Sequence, residues 1–318
     1  MTVGLLFVTL AAFCYAANLS LGIPLFLLLL SSYYALSRKV DYRLFLNLGL
    51  LLAIILFLAY TSARYAFFSN FLIPVAAVGL LVMILYNDLH LALVMSLAAS
   101  ILTGLVAGNR IDLTVIYFLG SMAGAFAVKD ARTRSELINA GFFISIVQVL
   151  CIALLNPFQE FIFSRHFLLD YFRPLFLNGF ISAFTVMATL KVFEYFFGVI
   201  TNFSLLELSD LNHPLLKRMI LEAPGTYHHS LLVGNLSEIA ANSVGANALL
   251  CRVGAYYHDI GKIDKPEYFT ENQIFESSKH DKLEPTMSRL VIFNHVVNGV
   301  ELAEIGRASC RERVCLYV

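Results

Sequence analysis

Long apolar stretches fill the first 200 residues and constrain the fold more than any other feature of the chain. An α-helix needs about 20 predominantly apolar residues to cross a bilayer. Eight stretches approach that length, roughly 3–18, 21–36, 44–62, 70–86, 90–108, 113–128, 138–155 and 174–198. The first two are short and nearly continuous, so we predict seven or eight spans, about seven in all, and a multi-pass transmembrane region over residues 1–200.

Charged side chains are sparse and unevenly distributed. They make up 14% of the 318 residues, whereas about a quarter is usual in a soluble domain. Residues 1–200 hold 19 of the 44 charged side chains and residues 201–318 hold 25, which predicts a soluble domain after the membrane region. The net charge of zero gives no reason to expect a nucleic-acid polymer as partner. The five cysteines form no disulfide framework, as expected in a reducing compartment.

Basic residues in two short loops predict the orientation in the membrane. The loops are separated by an even number of predicted spans, so they share a side, and the positive-inside rule makes that side cytoplasmic. The last span then delivers the soluble part to the cytoplasm. The loop at 156–173 faces outward, and we expect its aromatic residues to form an interfacial belt. The basic residues are Arg38, Lys39, Arg43, Lys129, Arg132 and Arg134.

The soluble part has helical periodicity and no strand-like alternation. Residues 201–222 are predicted to form an amphipathic connector, either a transmitter of motion or a passive stalk. Helices are predicted to begin at Pro224, to cover about 246–259, and to run from about Thr286 to Asn298. A polar, turn-rich stretch at 263–285 separates the last two. The fold class predicted is therefore all-α throughout, a polytopic transmembrane helix bundle followed by an all-helical domain.

An adjacent His-Asp pair, His258-Asp259, closes the second of these helices. Imidazole and carboxylate side by side can bind one metal ion or bridge two. Gly261 is expected to be the left-handed residue that ends the helix. Lys262 follows at once, where its ammonium group could meet a phosphate.

Three histidines on three predicted helices strengthen the metal hypothesis. His229, His258 and His295 are each placed on a different helix, and with Asp259 they can converge on one point, as in the metal sites of helical bundles. A lone histidine is more often an ordinary core or surface residue, but three in this arrangement favour a site. Nitrogen and oxygen ligands without a thiolate suit Fe or Mn rather than a structural zinc ion.

Several longer motifs carry a resemblance to a known family. They are Leu205 to Leu215, Pro224-Gly225-Thr226-Tyr227-His228-His229-Ser230, Arg252 to Lys262, and Glu271-Asn272-Gln273. With these motifs the chain resembles the seven-transmembrane HD family, bacterial membrane phosphodiesterases of the PgpH type that hydrolyse cyclic di-AMP. The resemblance covers roughly residues 40–303.

The resemblance implies a function and a site. His229, His258, Asp259 and His295 would be the metal ligands of two divalent ions, with Asp259 as the bridge, and Lys262 would contact the substrate phosphate. Asp259 and Lys262 are thus the expected catalytic residues, and the product would be linear pApA. His228 and His280 are left without a metal role. The location implied is the bacterial inner membrane, with the lipid bilayer and a cyclic dinucleotide as partners; homo-oligomerisation stays open.

The chain also departs from the family pattern. Family members carry a large extracellular domain after the first span and further metal ligands beyond this sequence. We expect residues 223–303 to be the N-terminal part of a truncated HD phosphohydrolase domain. Residues 304–318 resemble a translated sequencing adapter and are expected to be a non-native tail. On this interpretation the metal site of the 318-residue chain is incomplete and the chain itself is inactive.

Three other functions compete with this interpretation. The chain could be a membrane receptor whose HD domain binds a nucleotide without cleaving it. It could be an HD phosphohydrolase for another nucleotide, which the residues alone do not exclude. A transporter with a regulatory domain is disfavoured, because the predicted spans lack the intramembrane charges that transporters usually carry.

Overall fold

The computed structural model describes residues 42–65, 69–129, 131–155, 165, 167–273 and 278–305. Throughout these ranges the regular structure is helical, with no strand, which confirms the predicted all-α fold. The first two predicted spans and most of the predicted non-native tail at 304–318 lie outside the described residues. The contacts divide the chain into two compact units between Phe197 and Gly198.

The membrane unit consists of six long helices in the described ranges. Four helical segments are long and apolar enough to cross a bilayer, Asn47–Tyr65, Leu89–Val106, Arg134–Leu155 and Phe167–Phe197, and two shorter ones are Asn70–Tyr86 and Ile111–Ala127. The predicted spans from 44 to 198 thus all fall on apolar helices, and a total of seven stays a prediction. The helices are α1 (Tyr42–Tyr65), α2 (Ala76–Tyr86), α3 (Leu89–Val106), α4 (Ile111–Ala127), α5 (Arg134–Leu155) and α6 (Arg173–Phe197).

The span predicted at 70–86 is not one continuous helix. A 3-10 turn at Asn70–Leu72 is followed by an extended link through Ile73, and α2 begins only at Ala76. Backbone groups that leave a helix at membrane depth need partners from the protein. The side-chain amide of Asn178 donates to the carbonyl of Ile73 at 2.7 Å, and the hydroxyl of Tyr117 donates to the carbonyl of Asn70. These two bonds stabilise the break.

Small residues bring the membrane helices close together. Gly120 and Gly124 have this role, because a side chain at either would overlap with α5 at Gln148 or Ile144. The tightest approach joins α5 and α6. A methyl group on Gly179 would overlap with the carbonyl oxygen of Gly141, so these backbones touch as they do in small-residue helix pairs of membranes.

The prediction of an aromatic loop at 156–173 is wrong for its end at 167–172, while 156–164 and 166 lie outside the described residues. Residues Phe167–Phe172 form a π-helical turn that continues directly into α6. Phe167 is only 3% exposed, and the ring of Tyr171 packs edge-on against Phe71 with centroids 5.3 Å apart. These two rings are packed within the unit, since the helical segment begins at Phe167 and not at the predicted residue 174.

The second unit is a smaller helical domain. It contains five α-helices in the described ranges, and short 3-10 turns lie in the described parts of the polar stretch at 263–285. The helices are α7 (Asn202–Leu208), α8 (Pro214–Glu222), α9 (Pro224–Ser243), α10 (Ala248–Tyr257) and α11 (Pro285–Ile305), and the turns are Ile260–Asp264, Pro266–Tyr268, Thr270–Asn272 and Lys279–Lys282.

The segment expected to be a connector forms two helices instead of one. The chain turns at 209–213, where the carboxylate of Asp210 accepts a bond from the backbone N–H of Asn212 at 2.9 Å. Apolar residues of both helices are buried in the core of the second unit together with residues of α10. That core contains Leu205, Leu208, Leu215, Leu216, Met219, Leu249, Val253, Tyr256, Tyr257, Ile260 and Ile263. The segment is therefore part of the domain's packing.

The substitution Gly179→Ala tests the contact between α5 and α6. The added methyl group would overlap with Gly141 and Ser145, so we expect a loss of about 1–3 kcal/mol in the free energy of unfolding. Thermal unfolding in detergent, followed by circular dichroism, measures this. The control Ala188→Val adds bulk at an exposed position of the same helix and should change little; equal unfolding of both variants would contradict the packing.

Candidate metal centre

Helix α9 supplies the first candidate ligand. It begins at Pro224, a residue suited to the first helical position because its missing N–H would be unpaired there anyway. Successive side chains on a helix point about 100° apart. His229 accordingly faces the candidate centre, with its ring centroid 5.7 Å from that of His258. Both neighbouring histidines are exposed, but His228 does not belong to the cluster.

The end of α10 supplies the second and third ligands. His258 caps this helix, and Asp259 precedes the 3-10 turn at Ile260–Asp264. The residues on either side are buried, and the hydroxyl of Tyr257 donates to the carbonyl of Leu208 at 2.8 Å. This packing fixes the direction in which the His-Asp pair leaves the helix.

The prediction for Gly261 is wrong in its mechanism. Gly261 does not have a positive φ, and it lies inside the 3-10 turn. A side chain there would instead overlap with the backbone carbonyl of His295 and approach the backbone nitrogen of Gly299. Glycine is needed because two backbones approach closely, and this approach brings α11 to the His-Asp pair.

Helix α11 supplies the fourth candidate ligand. The Nε2 atom of His295 lies 3.5 Å from Oδ1 of Asp259. One turn further, the side-chain amide of Asn298 donates to the carboxylate of Asp264 at 2.9 Å. This bond and the contact at Gly261 hold α11 against the turn that follows Asp259.

The four predicted ligands therefore converge around one carboxylate. Within the described ranges, one group of histidine, cysteine and acidic residues places all its ligand atoms within 4.8 Å of one another, and it consists of His229, His258 and Asp259. His295 joins this group through Asp259. Asp259 is 6% exposed, and its two oxygens face different partners, with Nε2 of His258 3.1 Å from Oδ2.

Backbone carbonyls orient two of the imidazoles. Nδ1 of His258 lies 2.8 Å from the carbonyl of Ala255, and Nδ1 of His295 is bonded to the carbonyl of Ile292. An Nδ1–H donor to a carbonyl leaves Nε2 as the metal-binding atom. Both Nε2 atoms face Asp259, so a metal ion bound here would take the place of the proton between Nε2 of His258 and the carboxylate. A cation suits this set of donors.

Electrostatics keep Asp259 ionised. Burial alone would raise its pKa, but hydrogen bonds from His258 and Lys262 outweigh burial and hold the pKa of this carboxyl well below its usual range. The hydrogen bond to Asp259 in turn raises the pKa of His258. An ionised, buried carboxylate is the form in which an acidic residue binds metal.

Lys262 lies at the edge of this cluster. Its ammonium nitrogen is 2.8 Å from Oδ2 of Asp259 and 2.7 Å from Oε1 of Glu271, and the side chain is 14% exposed. The same nitrogen lies 4.9 Å from the ring centre of Phe269. Lys262 is thus near the cluster, as its position after the His-Asp pair indicated, but it is held by two carboxylates.

Residues without an assigned role complete the surroundings. The side chain of Asn272 accepts from the backbone N–H of Thr226 at 3.0 Å and donates to its hydroxyl at 2.8 Å. The hydroxyl of Thr226 also donates to Glu271 at 3.1 Å. Glu271 and Asn272 stood out in the sequence only as part of a motif. No helical or strand spacing relates them to Thr226, so sequence reasoning had no signal for this contact.

Two further histidines of this unit, His213 and His280, contact other residues away from the cluster. His213 lies immediately before α8, and its ring packs edge-on against Tyr257 with centroids 5.6 Å apart. Nε2 of His280 is 2.9 Å from the carbonyl of Tyr268. Neither residue belongs to the cluster around Asp259.

Comparison with known proteins decides the family. Residues 7–201 match the family described as "7TM receptor with intracellular HD hydrolase", and residues 226–310 match the HD domain. The chain belongs to this seven-transmembrane HD family. HD domains are metal-dependent, and the cluster of imidazoles around a buried carboxylate fits a metal ion in its donor set.

Two curated members of the family are similar to this chain. It is 34% identical over 239 residues to the cyclic-di-AMP phosphodiesterase PgpH of Bacillus subtilis (strain 168). The aligned residues cover 73% of this chain and 34% of that protein. It is 36% identical over 233 residues to PgpH of Listeria monocytogenes serotype 1/2a (strain 10403S), covering 73% and 32%. The chain therefore spans about a third of the length of these relatives.

A solved structure is also similar. It is the L. monocytogenes phosphodiesterase PgpH HD domain in complex with cyclic-di-AMP, 48% identical, covering 34% of this chain and 51% of that one with a TM-score of 0.32. The family assignment, with the apolar helices, identifies this chain as a membrane protein with an HD domain.

Two neighbouring histidines give a matched test of the cluster. The change His229→Ala removes one of three converging ligands, so we expect the affinity for Mn²⁺ to fall at least tenfold. The change His228→Ala removes an exposed imidazole one residue away and should leave the affinity unchanged. Isothermal titration of the purified protein measures both, and equal losses would count against the cluster.

The change Gly261→Ala tests how α11 is brought to Asp259. The methyl group would overlap with the backbone of His295, so we expect a loss of about 1–3 kcal/mol in stability and weaker Mn²⁺ binding. Gly299→Ala is the control on the opposite side, where the methyl group would lie no closer than 3.3 Å to Gly261. Denaturant unfolding with and without Mn²⁺ reports both effects; a Gly261→Ala protein as stable as the control would refute the close approach.

Proposed function

We propose that this protein is a membrane-bound, metal-dependent phosphodiesterase that hydrolyses cyclic di-AMP to linear pApA. The observation that carries the proposal is the convergence of His229, His258 and Asp259, with ligand atoms within 4.8 Å of one another, in a member of this family. Both curated relatives are named as cyclic-di-AMP phosphodiesterases. The proposed substrate follows from the similarity to these two relatives, and the chemistry of the site is compatible with a phosphodiester.

The site residues have distinct roles in this proposal. His229, His258 and His295 each offer an imidazole nitrogen from a different element. Asp259 offers both oxygens, and because they face different partners it suits the bridging position between two cations. The contact with His295 depends on the glycine at 261. Four protein ligand groups are few for two ions, so water, substrate oxygens or further protein groups would complete their coordination.

Lys262 is the proposed phosphate contact. An ammonium group has three N–H donors. Asp259 and Glu271 accept two of them, so one donor is left for a phosphate oxygen of the substrate. The positive charge lies beside the metal ligands, where it would also offset negative charge that develops on the phosphodiester during attack.

The cofactors proposed are two divalent metal ions, Fe or Mn. Imidazole and carboxylate ligands favour such ions, and thiolates are missing from the described cluster. When bound, the ions would supply an activated water and neutralise charge on the phosphodiester.

The proposed location is the bacterial inner membrane with the HD domain in the cytoplasm. The basic residues of the loops at 37–43 and 129–134 support this orientation through the positive-inside rule. The lipid bilayer is then the surrounding medium of the first unit, and assembly into a homo-oligomer is left to measurement.

An assay against a panel of cyclic dinucleotides tests the proposal. With Mn²⁺, we expect a version extended to the C-terminus of the gene to cleave cyclic di-AMP in preference to other members of the panel. The change His258→Ala should lower its kcat at least 100-fold, since a ligand beside the buried carboxylate is lost. The 318-residue chain should bind Mn²⁺ weakly and turn over little substrate.

The outcomes separate the competing functions. Nucleotide binding that persists in a protein without hydrolysis, and that is unaffected by His258→Ala, would favour a receptor. Cleavage of a different nucleotide would favour another HD phosphohydrolase. Robust hydrolysis by the 318-residue chain would contradict the incomplete metal site.

A further inference from the structure

The ammonium group of Lys262 lies between two carboxylates with different surroundings. Its nitrogen is 2.8 Å from Oδ2 of Asp259 and 2.7 Å from Oε1 of Glu271. Asp259 is the proposed bridging metal ligand, and Glu271 is outside the cluster of ligand atoms. A lysine that pairs fully with Asp259 would compete with a metal ion for the same oxygen, because both are cations.

Glu271 is fixed independently of Lys262. Its carboxylate accepts from the hydroxyl of Thr226 at 3.1 Å. The next residue, Asn272, bonds both the backbone N–H and the hydroxyl of Thr226, so it satisfies one of the free N–H groups at the start of α9. Gly225 permits this approach, since a side chain there would overlap with the carbonyl of Glu271. The carboxylate of Glu271 is therefore anchored to the helix that carries His229.

The segment that carries Glu271 also covers Lys262 from a second direction. The ring of Phe269 lies 4.9 Å from the ammonium nitrogen, within the range of a cation–π contact. The same ring packs edge-on against His295, with centroids 5.6 Å apart. Residues 269–272 thus contact both the lysine and the helices that carry two of the proposed metal ligands.

We propose that Glu271 is a positioning residue for the metal centre. It shares the ammonium group of Lys262 with Asp259, keeps that group from pairing fully with Asp259, and so leaves the Asp259 carboxylate available to metal. The inference rests on the proposed metal role of Asp259. On this proposal the effect of Glu271 on metal binding depends on the presence of Lys262. A purely structural role of Glu271 would not show that dependence.

A double-mutant cycle on metal affinity tests this dependence. In the 318-residue protein, Glu271→Gln removes the charge that competes for Lys262 but keeps an oxygen that can accept from Thr226. We expect Mn²⁺ affinity to fall about tenfold, the lower end of the range for residues that support metal ligands. Lys262→Met removes the competing cation and should strengthen Mn²⁺ binding. In the Lys262→Met background, Glu271→Gln should change the affinity less than twofold.

Glu267→Gln is the matched control. Glu267 loses the same charge four residues earlier, and its partner Lys279 lies 3.1 Å away in an exposed ion pair. Its effect on Mn²⁺ affinity should be less than twofold. Thermal unfolding of every variant, followed by circular dichroism, establishes that Glu271→Gln does not act by unfolding the domain.

Two outcomes of the cycle would overturn the inference. An equal fall in affinity on Glu271→Gln with and without Lys262 would overturn the inference, because the effect would then be direct electrostatics or structure. Weaker Mn²⁺ binding by Lys262→Met would also overturn it. The readout needs no substrate. If the 318-residue protein obeys the cycle but the version extended to the C-terminus of the gene hydrolyses no cyclic dinucleotide, the proposed function is refuted and the inference stands.

Discussion

The buried carboxylate of Asp259 is the interaction on which the second unit depends. A charge removed from water is costly unless donors compensate it. Asp259 receives them from His258 and Lys262 in its own neighbourhood and lies 3.5 Å from His295 on a helix far along the chain. Displacing any of these elements would leave a buried negative charge poorly compensated, so the fold and the site stabilise each other.

Backbone contacts set the dimensions of this site. Gly261 lies against the backbone of α11, and Gly225 lies against the carbonyl of Glu271. A contact between backbones has no rotamers to vary, so the distances between His229, Asp259 and His295 follow from how the main chain packs. The side chains then add direction, through Nδ1 contacts with backbone carbonyls at His258 and His295.

Local patterns were enough to predict much of this structure. Apolar length identified the apolar helices between 44 and 198, helical periodicity identified α9 to α11, and the adjacent His-Asp pair marked the centre of the candidate site. Tertiary contacts were out of reach. The role of Gly261 depends on a helix more than thirty residues later, and the hydrogen bond between Thr226 and Glu271 joins residues 45 apart. The break before α2 needs partners at Tyr117 and Asn178, which no local pattern specifies.

The seam between α5 and α6 has a mechanical consequence. Gly141 and Gly179 touch through their backbones, and Ser145 lies against both Gly141 and Phe176 through its hydroxyl. Rotation of one helix about its axis would drive larger neighbours such as Phe142, now exposed, into a gap that admits no side chain. We therefore expect α5 and α6 to move together as one rigid pair.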